Sequence, residues 1–215
     1  MSMVYDCAVA SSREAGLTSA SGVLRSGRLV VFPTDTVYGL GCDAFNPDAV
    51  RSLLEAKGRG ANMPASVLVG SWHTIDGLVR YVPDIARMLI EAFWPGGLSI
   101  VLPHAPSLAW NLGETRGTVM VRMPLHPVAI ELLREFGPMA QSSANLTGRK
   151  AAATVDEARE QLGESVDTYL DGGPSGDAVP STIIDLTGAD PLVLREGAVP
   201  LEQLAEVLGK QVALA

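Results

Sequence analysis

Lys57-Gly58-Arg59 sets two cations on either side of a glycine at the end of a predicted helix. A lysine is a compact point charge and an arginine a planar fork, a combination suited to phosphate oxygens. A lysine in a last helical turn also complements the helix dipole, which accounts for it without a ligand. The glycine frees the backbone, so that both side chains can converge on one anion. The spacing is not that of a Walker-type loop, because GxxxxGK[ST] is absent.

Other polar residues occur in similarly suggestive places. Pro33-Thr34-Asp35-Thr36-Val37-Tyr38-Gly39-Leu40-Gly41 follows a predicted buried strand directly. Loops leaving strand ends are the usual place for sites in α/β proteins, and the glycines would let backbone approach a ligand. A Thr/Asp-rich turn that caps itself explains the same residues. Thr118-Val119-Met120-Val121-Arg122 alternates with period two, which puts Thr118 and Arg122 on one strand face. That face lines a cleft if it is open and is a solvated edge if it is not. Ser143 and Asn145 offer uncharged donors and acceptors of the kind that orient a nucleoside, or a turn. Ser181, before a predicted strand, and Arg195, at the end of another, are unremarkable alone. His73, His104 and His126 are scattered without metal-binding spacing, and no Ser/His/Asp set or catalytic cysteine context appears.

The elements that must position these residues alternate along the chain. Helices are predicted over residues 12–26, 47–57, 83–93, 126–136, 154–162 and 200–208. Asn46 with Pro47, and Thr154 with Glu157, are N-terminal capping signals. Strands are predicted over residues 29–32, 66–69, 98–102, 118–122, 167–170, 182–186 and 192–195. Residues 33–44 read as irregular, 94–97 as a turn, and 171–181 as a loop inside the domain. Interleaved strands and helices imply a sheet with helices packed against it, in one domain spanning residues 1–215.

Composition narrows the classes. The chain has 215 residues, 47% hydrophobic and 19% charged, a globular balance. A net charge of −8 argues against a large nucleic-acid footprint, while leaving room for a small cationic cleft. Cys7 and Cys42 have no metal spacing and fit a reducing cytoplasm. No apolar run is long enough to span a bilayer, and no secretory signal opens the chain. The expectation is a cytoplasmic protein with no membrane association.

Taken in order, PTDTVYGLG at 33–41, KGR at 57–59, FWPGGLSIVLP at 93–103, TVMVRMPLHP at 118–127, SSANLTG at 142–148, STIIDL at 181–186 and VLREG at 193–197 resemble the YrdC/TsaC family, the threonylcarbamoyl-adenylate synthases. The resemblance covers roughly residues 15–200 and is carried by the ordered set. It implies a YrdC-like α/β domain on a twisted mixed sheet with flanking helices and a concave ligand face. It implies a nucleotidyltransferase that makes threonylcarbamoyl-AMP and pyrophosphate from L-threonine, bicarbonate and ATP, with Mg2+ entering on the ATP. A downstream transferase complex would pass the product to adenosine 37 of tRNA, and a weak tRNA contact is compatible with that pathway.

The same resemblance assigns roles. Lys57 and Arg59 are expected at the phosphates as the catalytic cations. Thr118, Ser143, Asn145 and Arg195 are expected to contact ATP as well. Thr36, Arg122 and Ser181 are expected to hold threonine, and no protein metal ligand is expected. Met63, Leu68, Ser142 and Pro180 depart from the commoner family pattern, and the first two put the threonine pocket in question. The resemblance leads one to expect the family's short, single-domain form. An RNA-binding module without synthase activity is the alternative from another class, and related carbamoyl-adenylate chemistry on another substrate is a third.

Overall fold

The structure is a computed structural model that describes residues 2–215. Its strands are β1 (Met3–Asp6), β2 (Val30–Phe32), β3 (Gly39–Asp43), β4 (Ser66–Leu68), β5 (Leu98–Pro103), β6 (Thr118–Arg122), β7 (Met139–Ser143), β8 (Thr168–Asp171), β9 (Thr182–Asp185), β10 (Leu192–Arg195) and β11 (Ala213–Leu214). The α-helices are α1 (Ala10–Arg25), α2 (Pro47–Ala56), α3 (Asp84–Phe93), α4 (Pro127–Phe136), α5 (Val155–Leu162) and α6 (Leu201–Leu208).

All these strands join one sheet in the order β1-β8-β2-β3-β7-β4-β6-β5-β9-β10-β11. The sheet is mixed. β2 pairs parallel with β8 and antiparallel with β3, while β4 pairs parallel with β6 and antiparallel with β7. The expected mixed α/β architecture is what the chain forms.

Strand alternation divides the side chains between two faces. On one face Val31, Val67, Ile100, Val121 and Ile184 pack with α2, α3, α5 and α6 in the main core. On the other, Val30, Phe32, Leu68 and Met139 pack beneath α1 and α4. Beyond these helices, polar residues gather on this face at Ser66 of β4, at Gln141 and Ser143 of β7, and along β6, β5 and β9.

The capping signals form as expected. Asn46 Oδ1 accepts from the backbone N–H of Asp48 at 3.0 Å and of Ala49 at 3.1 Å, opening α2. Thr154 Oγ1 accepts from Glu157 N at 3.2 Å, and Glu157 Oε2 accepts from Ala153 N at 2.6 Å, opening α5.

Two expectations change. Residues 33–44 were expected to be irregular, yet Gly39–Asp43 form β3 in the middle of the sheet. A Cβ on Gly39 would lie 2.9 Å from the Phe32 ring, and one on Gly41 would lie 2.5 Å from the Met139 methyl. These glycines admit core side chains, not a ligand. Met139–Ser143, where no strand was predicted, form a full strand between β3 and β4.

Candidate active site

The polar residues on this second face surround a cavity of about 270 Å³. Its wall is built by strand parity. Ser66 on β4, Ser99 on β5, Met120 and Arg122 on β6, Gln141 and Ser143 on β7, and Ile183 on β9 all point to this side. Their immediate neighbours along the strands, such as Val67, Ile100 and Val121, point into the main core. Arg195 reaches the cavity by a different device. A register shift between Val193 and Arg195 leaves Val193 opposite Ile184 and Arg195 opposite Ile183. Strict alternation would have turned Arg195 toward the core with Val193; the bulge turns it to the cavity.

Three guanidiniums, from Arg59, Arg122 and Arg195, share this wall, and no carboxylate is among the lining residues. An acidic chain thus presents one strongly cationic cavity. Arg122 is the most enclosed of the three. Its Nε donates to Gly96 O at 2.9 Å, its Nη1 to Thr36 Oγ1 at 2.8 Å, and its Nη2 to Asp35 Oδ1 at 2.6 Å. A guanidinium has five N–H groups, so two remain for a ligand. Burial pushes the Arg122 guanidinium below its usual pKa, Asp35 pulls it back up, and the nearby Arg195 opposes Asp35.

Arg59 lies on the opposite side. Its Nη1 donates to Ser142 Oγ at 2.8 Å, while its buried Nε has no protein partner. Arg195 donates twice to Ser181 O, at 3.0 and 2.7 Å, and Ser181 Oγ lies 2.9 Å from Ser99 Oγ. Thr36 Oγ1 and Thr34 Oγ1 are 3.1 Å apart.

Of the residues singled out from sequence, the structure brings Thr36, Arg59, Arg122, Ser143, Ser181 and Arg195 to one wall. Lys57, Thr118 and Asn145 do not line it. Thr118 shares the face of Arg122 but starts β6, about 13 Å along the strand, and its hydroxyl donates to Thr115 O at 2.8 Å. Lys57 is buried under the chain that follows β7. Convergence of Lys57 and Arg59 on one anion is not what Gly58 produces. Gly58 takes a positive φ of 61°, its N–H bonds Glu55 O, and Arg59 N bonds Leu54 O. This is a Schellman stop, and it sends the two cations to different places.

Of the four departures from the family pattern, Met63 and Leu68 are also off the wall, while Ser142 and Pro180 line it. Leu68 is wholly buried in the core beneath α1 and α4. Ser66 and Ser99 were missed in the sequence. Each is a lone hydroxyl at the cavity parity of an apolar strand, a signal that strand alternation alone carries. Asp35 was seen but given no role.

The wall does not fit a protein cage for magnesium. It offers hydroxyls, an amide and guanidiniums, and no group of three or more His, Cys, Asp or Glu gathers among the described residues. No helix among them is long and apolar enough to cross a membrane.

A carboxylate-free cavity of guanidiniums and hydroxyls, set on the open face of a mixed α/β sheet, has the chemistry of an anion site. The chain belongs to the Sua5/YciO/YrdC family, whose sequence model, described as telomere recombination, matches residues 22–197. It is 60% identical over 213 residues to a Mycobacterium tuberculosis protein whose name provisionally assigns it threonylcarbamoyl-AMP synthase activity. That match covers 99% of this chain and 98% of the relative. It is 38% identical over 192 residues to the threonylcarbamoyl-AMP synthase of Pyrococcus abyssi, covering 89% of this chain and 56% of that protein. The crystal structure of P. abyssi Sua5 complexed with L-threonine superposes with a TM-score of 0.93 at 35% identity, covering 100% of this chain and 62% of that one.

Proposed function

We propose that the chain is a threonylcarbamoyl-AMP synthase using L-threonine, bicarbonate and ATP. The observation that carries this reading is the wall itself, with three guanidiniums and the hydroxyls of Thr36, Ser66, Ser99, Ser143 and Ser181 around one cavity free of carboxylates. Such a wall suits two anions at once, an amino-acid carboxylate and a triphosphate.

Arg122 is the ligand for the threonine carboxylate, through its two uncommitted N–H groups. Thr36 and Ser181 flank it and suit the threonine hydroxyl. Arg59, Arg195 and Ser143 take the phosphates. Bicarbonate and the threonine amine condense to a carbamate, releasing water. A carbamate oxygen then bonds the α-phosphorus of ATP as the bond to the leaving pyrophosphate breaks. The protein supplies no nucleophile. It positions the two anions and stabilises charge on the phosphates as it develops. Magnesium arrives on the triphosphate's own oxygens, and no step needs a protein ligand for it.

Incubation with Mg-ATP, threonine and labelled bicarbonate yields a labelled adenylate on this reading. No labelled product at high enzyme concentration would sink it. We assign the product to tRNA modification at adenosine 37, delivered by a separate transferase. The RNA-binding alternative draws no support from the charge distribution, because these cations converge inside a cavity.

A further inference from the structure

Lys57 carries a charge that the polyanion cavity does not use. Its side chain is 3% exposed. Its Nζ donates to Ser143 O at 2.5 Å and Asn145 O at 2.7 Å, and lies 3.4 Å from Asn145 Oδ1. An ammonium has three N–H donors, and three oxygens surround this one. In return, Lys57 O accepts from Thr147 N at 2.9 Å.

The segment these bonds hold follows β7 and bounds the cavity. Ser143 and Ala151 are on the wall, and the chain between them has little regular structure. Several of its carbonyls accept hydrogen bonds from protein donors. Lys57 meets those of Ser143 and Asn145. The Asn145 amide meets those of Leu146 and Arg149, at 2.8 and 2.9 Å. Gln161 on α5 closes the other side, accepting from Leu146 N and donating to Lys150 O, both at 3.1 Å.

We infer that Lys57 is a positioning residue, a buried strut that fixes the Ser143–Ala151 wall of the nucleotide site from behind, and not a phosphate ligand. The Schellman stop at Gly58 makes this possible by directing Lys57 inward and Arg59 toward the cavity. Burial and the nearby Arg59 charge push the Lys57 ammonium down to about 8, and the oxygens around Nζ favour keeping its proton at neutral pH.

Hydrogen exchange of the ligand-free protein tests this. Lys57→Met should speed exchange of the amides of residues 143–151 by tenfold or more. Lys57→Gln, which keeps one amide donor group, should fall between it and the wild type. Arg59→Gln should leave that segment protected. Unchanged exchange in both Lys57 variants would overturn the inference. If Lys57→Met fails to fold, the Lys57→Gln comparison decides alone.

Calorimetry supplies the second arm, which rests on the nucleotide reading above. A strut predicts that Lys57→Gln weakens ATP and adenosine by the same factor. A phosphate ligand predicts loss for ATP only, and that result would also overturn the inference. Failure of the wild type to bind ATP would refute the proposed function and leave the exchange arm standing.

Discussion

Asp35 holds Arg122 from outside the cavity. Its Oδ1 accepts from Arg122 Nη2 at 2.6 Å and from Leu125 N at 2.9 Å, while its side chain stays off the wall. The two side chains are 17% and 6% exposed. One carboxylate therefore neutralises the enclosed guanidinium and ties it to the chain leaving β6. The guanidinium keeps its orientation, and its free N–H groups stay available to a ligand carboxylate.

Asp35→Asn removes that counter-charge and leaves a buried cation. Breaking a buried pair this way costs about 3 kcal/mol. Urea denaturation should show a loss of that order. Threonine binding should weaken as well, because Arg122 would lose its fixed orientation. A stable variant with unchanged threonine affinity would show that the pair does not organise the site.

Arg59→Ala and Arg122→Ala should separate the two ends of the cavity. Each removes a charged hydrogen-bond donor, worth about 1.5–3 kcal/mol to its ligand. The Arg59 variant should lose ATP affinity and keep threonine affinity. The Arg122 variant should do the reverse. Calorimetric titration of each ligand into each variant gives four affinities, and equal losses in all four would reject the division.

Asn46→Ala should cost about 1 kcal/mol, since the side chain satisfies two of the free N–H groups that open α2. The consequence for function is indirect. The far end of α2 delivers both Lys57 and Arg59, so fraying of the helix should raise the KM for ATP. Thermal unfolding checks the first effect and initial rates the second.

What could be read from the sequence follows from how local each signal is. Asn46-Pro47 and Thr154 with Glu157 act within a single turn, and both caps formed as expected. Parity on β6 placed Arg122 on the open face, but parity cannot say how far along a strand a cavity extends, and Thr118 lies beyond this one. β3 was hidden because Gly39 and Gly41 have poor strand propensity, and the Phe32 and Met139 side chains that require them come from neighbouring strands. Arg195 depends on a bulge against β9, and Lys57 on carbonyls nearly ninety residues away. Both are tertiary facts with no local trace. The resemblance pointed to segments that meet around one cavity, but the division between wall and support is set by the tertiary fold.

His126 should make stability depend on pH in a definite direction. It precedes α4 as the N-cap residue, and its buried Nδ1 has no hydrogen-bond partner. Burial lowers its pKa from the usual 6.5, Asp35 raises it, and Arg13 lowers it again, for a net depression. The folded protein therefore takes up this proton at lower pH than the unfolded chain does. Between the two pKa values the unfolded state binds more protons, so stability rises with pH there. The contribution is complete above pH 6.5 and is lost as pH falls through the folded value. His126→Asn removes the titration and retains a good N-cap residue. The difference in unfolding free energy between wild type and variant, followed from roughly pH 7.5 down to pH 5, isolates this group from the carboxylates. The wild type should lose stability relative to His126→Asn on acidification. Parallel curves would mean that the imidazole is not held neutral by the fold.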